Sequence, residues 1–262
     1  MAYQRFSLFP DSPSFRDLFS ARSLRYRWRN GDPVITMIII AACVVVWLVE
    51  AVLYAVWPSA GNAFVSAGML MPATAVRHPW TFITSMFLHQ PNSLWHILFN
   101  MLTLWCVGPV LERMMGHWPY LALYVLSGLG GGAGLMVWAV CSPSGWMTAA
   151  YGASGALFGL FAAILVVYRR IGMDIRSMLI WMLVNFLMPV ITPGIAWQAH
   201  IGGFIIGGLF AWLLVSGLRA FRGKGLGWRA AVYGVAVFLA IAVVVVCCDM
   251  CNPLLQMMAW QY

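Results

Sequence analysis

Four side chains, set in three separate apolar stretches, are of the types that acyl transfer needs. Ser154 stands in Gly152-Ala153-Ser154-Gly155, His200 in Ala199-His200-Ile201-Gly202-Gly203, and the pair His96 and Asn100 at i, i+4 spacing, which puts both on one helix face. A serine hydroxyl is a poor nucleophile at neutral pH, and a histidine such as His200 can take its proton and later pass it to a leaving amine. The oxyanion that develops needs donors already in place. The Asn100 amide, His96 and the backbone N–H groups at a helix start around Ser154, where the dipole favours negative charge, are such donors. Each feature also has a plainer reading. A serine between small residues is a packing contact between membrane helices, and a histidine near a helix start is an interfacial group satisfied by backbone or water.

The elements that carry these residues are membrane spans. Of 262 residues, 63% are hydrophobic and only 8% charged, with a mean hydropathy of +0.86, which excludes a water-soluble globule and defines an all-α polytopic membrane protein. The net charge of +8 does not indicate a nucleic-acid partner, because that reading needs a basic face on a soluble domain. Apolar runs of about 20 residues predict spans at Val34–Trp57, Leu94–Leu111, Tyr120–Val140, Gly152–Tyr168, Met178–Ile191, Ala199–Leu218 and Ala230–Cys247. The fifth is short and contains Asn185 and Pro189. The divisions that follow are an arginine-rich tail over 1–33, a six-helix core over 34–218, a linker over 219–229, and a seventh span with a short tail over 230–262.

Basic residues orient the spans. With the N-terminus inside, the six arginines before the first span, Arg113, Arg169, Arg170, Arg176, Arg219, Arg222, Lys224 and Arg229 all face the cytoplasm, and only Arg77 lies outside. The C-terminus is then outside. Asp11, Asp17 and Asp32 in the tail argue against a transit peptide. In this topology the second, fourth and sixth spans all run inward, so His96, Asn100, Ser154 and His200 share one depth near the outer surface. Buried polar groups in membrane helices are usually functional and partnered, and four at one depth favour the catalytic reading over separate packing accidents.

Glycines decide whether the helices can meet. Gly155 and Gly159 follow Ser154, while Gly203 and Gly207 share the face of His200, so the two helices are expected to pack backbone to backbone and bring serine and histidine together. Gly128, Gly130, Gly131, Gly132 and Gly134 in the third span are read as structural. Phe158, one turn below Ser154, is placed to stack on His200. None of the seven acids has motif support as a third catalytic member, so a Ser154–His200 dyad is expected, its imidazole oriented by packing. Glu50 sits inside the first span, where it lines a wet cavity or reaches toward the interface. The long connection Pro58–Pro91, rich in apolar residues, is expected to lie in the membrane interface, with His89 inside it.

With these residues in order, the sequence resembles the rhomboid family of intramembrane serine proteases. The resemblance rests on His96-x-x-x-Asn100, Gly152-Ala153-Ser154-Gly155 and Ala199-His200-Ile201-Gly202-Gly203 with Gly207, in helices two, four and six, and on Leu111-Glu112-Arg113 followed by Gly116. It covers about Val34–Leu218, with the last span appended as six plus one. It implies cleavage of other membrane proteins in or near their transmembrane segments, with Ser154 as nucleophile, His200 as base, and His96, Asn100 and the Ser154 backbone as the oxyanion site. No cofactor or metal is implied, and a bacterial cell membrane is the expected location. Two positions depart from the family pattern: Trp80-Thr81 replaces Trp-Arg, and Phe158 replaces tyrosine. A catalytically silent rhomboid-like binding protein is the runner-up, and a transporter is disfavoured because repeated intramembrane charges are absent from the sequence. Cys43 and Cys106 are expected to be buried thiols. Cys141, Cys247, Cys248 and Cys251 lie toward the outer side, where an oxidising compartment permits a disulfide.

Overall fold

An apolar run in lipid can satisfy its backbone only within itself, so each such run folds as a helix. The computed structural model describes residues 20–176, 179–180, 182–184, 187 and 195–255. Its α-helices are α1 (Ala21–Arg29), α2 (Val34–Val56), α3 (Pro58–Gly68), α4 (Thr81–Thr84), α5 (Leu94–Met115), α6 (His117–Cys141), α7 (Ser154–Ile171), α8 (Trp197–Val215) and α9 (Leu226–Asp249). Six of these, α2 and α5 to α9, are long and apolar enough to cross a membrane. The expected span Met178–Ile191 lies largely outside the described residues.

Most ends differ from the sequence reading by a few residues, and two differences have clear causes. α5 continues past Leu111 to Met115 because Glu112 is buried in the bundle. α7 begins at Ser154 rather than Gly152 because Gly152 has φ +126°, which helical backbone does not allow.

The core is centred on α7, where every residue from Gly155 to Ile164 is buried. α8 lies against it at backbone distance. A Cβ on Gly203 would overlap the Gly155 carbonyl oxygen, and one on Gly207 would overlap the Gly159 Cα. From α6, a Cβ on Gly131 would lie 2.9 Å from the Ala199 carbonyl oxygen. Close helix approach of this kind replaces the hydrophobic drive that lipid cannot supply. α9 is tied to α8 by Arg229, which donates to the Leu214 carbonyl, and to the segment after α8 by the Tyr233 hydroxyl, which accepts the Leu218 N–H at 2.8 Å.

Outward faces stay apolar, as in Val45 and Val52 of α2 and Val235 and Val243 of α9. Cys43 is buried as expected, but Cys106 is exposed. Its side of α5 faces outward rather than into the bundle, a distinction invisible in a helix that is apolar all round. All six cysteines are free thiols.

The connection 58–91 is more ordered than an interfacial loop. It contains α3, a 3₁₀ turn at Pro72–Thr74 and α4, and it is pinned by specific bonds. Leu70 and Ala150 exchange two backbone hydrogen bonds of 3.0 and 2.8 Å, and the Gly152 N–H donates to the Ser85 carbonyl at 2.8 Å. The α6 glycines serve here too, since Phe82 fills the space over Gly132 and Met86 that over Gly128. Thr81 is buried and donates to the His78 carbonyl at 2.7 Å, so it acts inside the turn. Beyond α9, the buried Asn252 donates to the Ala73 carbonyl at 3.0 Å.

At the opposite end of the bundle from Ser154, the buried Glu112 caps α2. Its Oε1 accepts from the Ile35 N–H at 2.8 Å, and its Oε2 accepts from the Thr36 N–H at 2.8 Å and the Thr36 hydroxyl at 2.7 Å. His117 Nδ1 stands 2.6 Å from the same carboxyl, and its Nε2 stands 2.9 Å from the Trp28 carbonyl of α1. A carboxylate at a helix N-terminus satisfies otherwise unpaired N–H groups and complements the dipole. Glu112→Leu strands these donors and is expected to destabilise the bundle by about 3–5 kcal/mol, read as a fall in thermal unfolding temperature in detergent, with a smaller fall for Glu112→Gln.

Candidate active site

Ser154 is the first residue of α7, lifted to its position by the Gly152 turn. Its hydroxyl is 2.9 Å from His200 Nε2 in α8. This distance follows from the helix contact below it, because Gly155 and Gly203, one and three residues along, touch without side chains. His200 is buried, and Phe158 stacks on it with ring centroids 4.2 Å apart and planes 16° apart. Its Nδ1 is buried without a hydrogen-bond partner, carboxyl or other, among the described residues. With Nε2 facing the hydroxyl, the neutral Nδ1–H form leaves a lone pair where a base needs it.

His96 approaches from α5. Its Nδ1 accepts the Gln90 N–H at 3.1 Å, which leaves Nε2 to carry the proton. The point where a Cβ of Gly152 would stand is 3.0 Å from that Nε2 and 3.9 Å from the Ser154 hydroxyl. Glycine therefore leaves open a space of atomic size between nucleophile and donor, in addition to meeting the backbone requirement of a positive φ. Asn100 is buried, and its Nδ2 donates to the His96 carbonyl at 2.7 Å. Ser154, His200, His96, Asn100, Gly152 and Phe158 all line one cavity of about 630 Å³. Among the described residues no group of three or more His, Cys, Asp or Glu is placed to hold a metal ion.

Glu50 takes neither of the two places open to it from the sequence. It is fully buried under the connection 58–91, its Oε2 accepting the His89 N–H at 3.0 Å. His89 is also fully buried, its Nδ1 3.1 Å from the Phe87 carbonyl and its ring centroid 5.2 Å from that of His96. Burial, and secondarily the neighbouring His96, pushes the His89 imidazole down to about 4, partly opposed by the Phe87 carbonyl. Burial, and then Glu50, raises the Tyr151 hydroxyl above its ordinary value. The partners of Glu50, Gln90 and Ser85 were missed by sequence reasoning. The one available signal was an ionisable residue within an apolar span.

The class is thus a polytopic α-helical membrane protein in which two helices bring a Ser–His dyad together within a cavity. A model described as the Rhomboid domain matches residues 76–217. The chain belongs to the rhomboid family. It is 34% identical over 140 residues to Rhomboid protease GluP of Bacillus subtilis (strain 168), covering 50% of this chain and 25% of that protein. It is 33% identical over 135 residues to RHOMBOID-like protein 5 of Arabidopsis thaliana, 49% of this chain and 41% of that one. Against Rhomboid protease AarA of Providencia stuartii the values are 31% over 156 residues, 50% of this chain and 54% of that protein. The match thus spans from a quarter to about half of these relatives.

Two predictions come from this geometry. Gly152→Ala fills the space beside His96 and strains the turn, and is expected to slow labelling of Ser154 by a fluorophosphonate probe by about 10²-fold. Above about pH 6.5, the ordinary value, His89 is neutral whether folded or unfolded and adds no pH dependence. As pH falls from there toward 4, the unfolded chain takes up the proton and the folded one does not, so up to about 3 kcal/mol of stability is lost. Unfolding temperature against pH is expected to fall in that window for wild type and to fall less steeply for His89→Gln.

Proposed function

We propose that the protein is an intramembrane serine endopeptidase that hydrolyses peptide bonds in or near the transmembrane segments of other membrane proteins. The observation that carries the reading is the 2.9 Å contact between Ser154 and His200 at the head of two membrane helices in a shared cavity. Ser154 Oγ attacks the scissile carbonyl while its proton passes to His200 Nε2. The carbonyl oxygen becomes an oxyanion, and the open space between His96 Nε2 and Ser154 suits it, with His96, Asn100 and the Ser154 N–H as donors. Collapse breaks the C–N bond, and His200 returns its proton to the departing amine. Water then repeats the sequence on the acyl-enzyme and releases the acid.

Membrane placement belongs to the same proposal. The N-terminus is cytoplasmic and the C-terminus outside, in a bacterial cell membrane, with six core spans over 34–218, the linker 219–229 and α9 as the seventh. The basic-residue distribution supports this orientation. Substrates are single-pass or other transmembrane proteins reaching the cavity from the bilayer. The printed protease names of GluP and AarA support the activity by relationship.

The test is fluorophosphonate labelling and substrate cleavage by purified protein, wild type beside Ser154→Ala and His200→Ala. Wild type is expected to label and cleave, and each variant to lose cleavage by about six orders of magnitude. Wild type that neither labels nor cleaves any transmembrane substrate would instead favour a silent binding protein.

A further inference from the structure

Of the two buried acids among the described residues, Glu112 caps α2 and Glu50 is left without a role. Glu50 lies within α2, and a carboxyl inside an apolar span costs several kcal/mol unless it is partnered. Its Oε1 has no hydrogen-bond partner among the described residues, yet its Oε2 holds the His89 N–H at 3.0 Å. One turn earlier on α2, Trp47 Nε1 donates to the Gln90 carbonyl at 3.3 Å. One helix therefore grips two consecutive residues of the connection, His89 by its amide N–H and Gln90 by its carbonyl. Held between these grips is the Gln90 N–H, which donates to His96 Nδ1 at 3.1 Å.

That bond has a chemical consequence. A neutral imidazole has one donor and one acceptor nitrogen. An N–H aimed at Nδ1 requires the lone pair there and places the proton on Nε2. Nε2 is the nitrogen beside the open space at Gly152 and Ser154. Were the peptide free to turn away, the tautomer with Nδ1–H would become available, and its Nε2 would present a lone pair to the oxyanion.

We infer that Glu50 is a positioning residue for His96: by clamping the His89–Gln90 backbone, with Trp47 as the second grip, it selects the imidazole tautomer whose Nε2–H faces Ser154. The catalytic consequence rests on the endopeptidase reading, whereas the tautomer itself does not. A purely structural role would have Glu50 hold the connection without influencing which His96 nitrogen carries the proton.

The experiment uses the full chain in detergent with ¹⁵N-labelled histidine, the His96 signals being assigned by their loss in His96→Gln. Wild type is expected to show His96 with Nδ1 unprotonated and Nε2 protonated. Glu50→Leu is expected to give a mixture of tautomers and to lower kcat by between about tenfold and about a hundredfold with KM unchanged. Glu50→Gln, whose amide oxygen can accept the same N–H, is expected to restore the wild-type tautomer and most of kcat. A wild-type tautomer in Glu50→Leu overturns the inference, even where stability and kcat fall. If Glu50→Leu does not fold, Trp47→Phe keeps the ring but releases the Gln90 carbonyl. A shift toward Nδ1–H then supports the inference, and an unshifted spectrum overturns it. Wild type without hydrolytic activity would remove the protease reading, yet the tautomer comparison would still decide this one.

Discussion

The site depends on one contact in which no side chain takes part, the approach of α7 and α8 through Gly155 and Gly203. Helices in lipid gain little from hiding apolar surface, so they associate where their backbones come close enough for dispersion to be strong. Here the approach leaves no room for a methyl group on Gly203 beside the Gly155 carbonyl. Ser154 precedes one of these glycines and His200 lies three residues before the other. Their 2.9 Å separation is therefore inherited from main-chain packing rather than from adjustable side chains. Reacting groups need placement to a fraction of an ångström, and a glycine contact supplies it with little freedom to relax.

The other half of the site is held differently. Gly152 is bonded to Ser85, Ala150 to Leu70, and His96 to Gln90, all from the connection between α2 and α5. The dyad thus sits on two helices joined at backbone distance, while the groups suited to the oxyanion are set by a short list of hydrogen bonds to a partly exposed segment. Elements with fewer buried contacts open at lower free energy than the core.

What was legible in the sequence is what recurs at short range. Helix periodicity puts Asn100 below His96 and Phe158 below Ser154, and both neighbours are found where spacing places them. Glycine faces on two helices announce their own contact. The partners of Glu50 and Glu112 were not legible, because they come from distant chain positions, Ile35 to Glu112 being 77 residues apart. Glu112 stands beside Arg113 in the sequence, and only tertiary structure turns it inward as a helix cap. Cys106 illustrates the general difficulty: lipid-facing and core-facing sides are equally apolar, so hydrophobicity locates a span but does not rotate it. The ordered connection 58–91 escaped for the opposite reason, its elements being too short for a period to register.

The absence of a carboxyl at His200 Nδ1 among the described residues raises the question of what supports the imidazolium when it forms. In a medium of low dielectric an ionised acid placed there would itself need stabilising in every resting molecule, to be useful only for the lifetime of an intermediate. An aromatic face avoids that standing cost, since it is neutral at rest yet its quadrupole attracts a cation placed over it. Phe158 lies almost parallel to the His200 ring at 4.2 Å, close enough to fix its plane before proton transfer and to favour its charged form afterwards. Losing the hydroxyl found at this position in much of the family leaves both effects in place, because each belongs to the face of the ring. The departure at Phe158 is therefore compatible with an intact dyad on physical grounds, not merely on grounds of similarity.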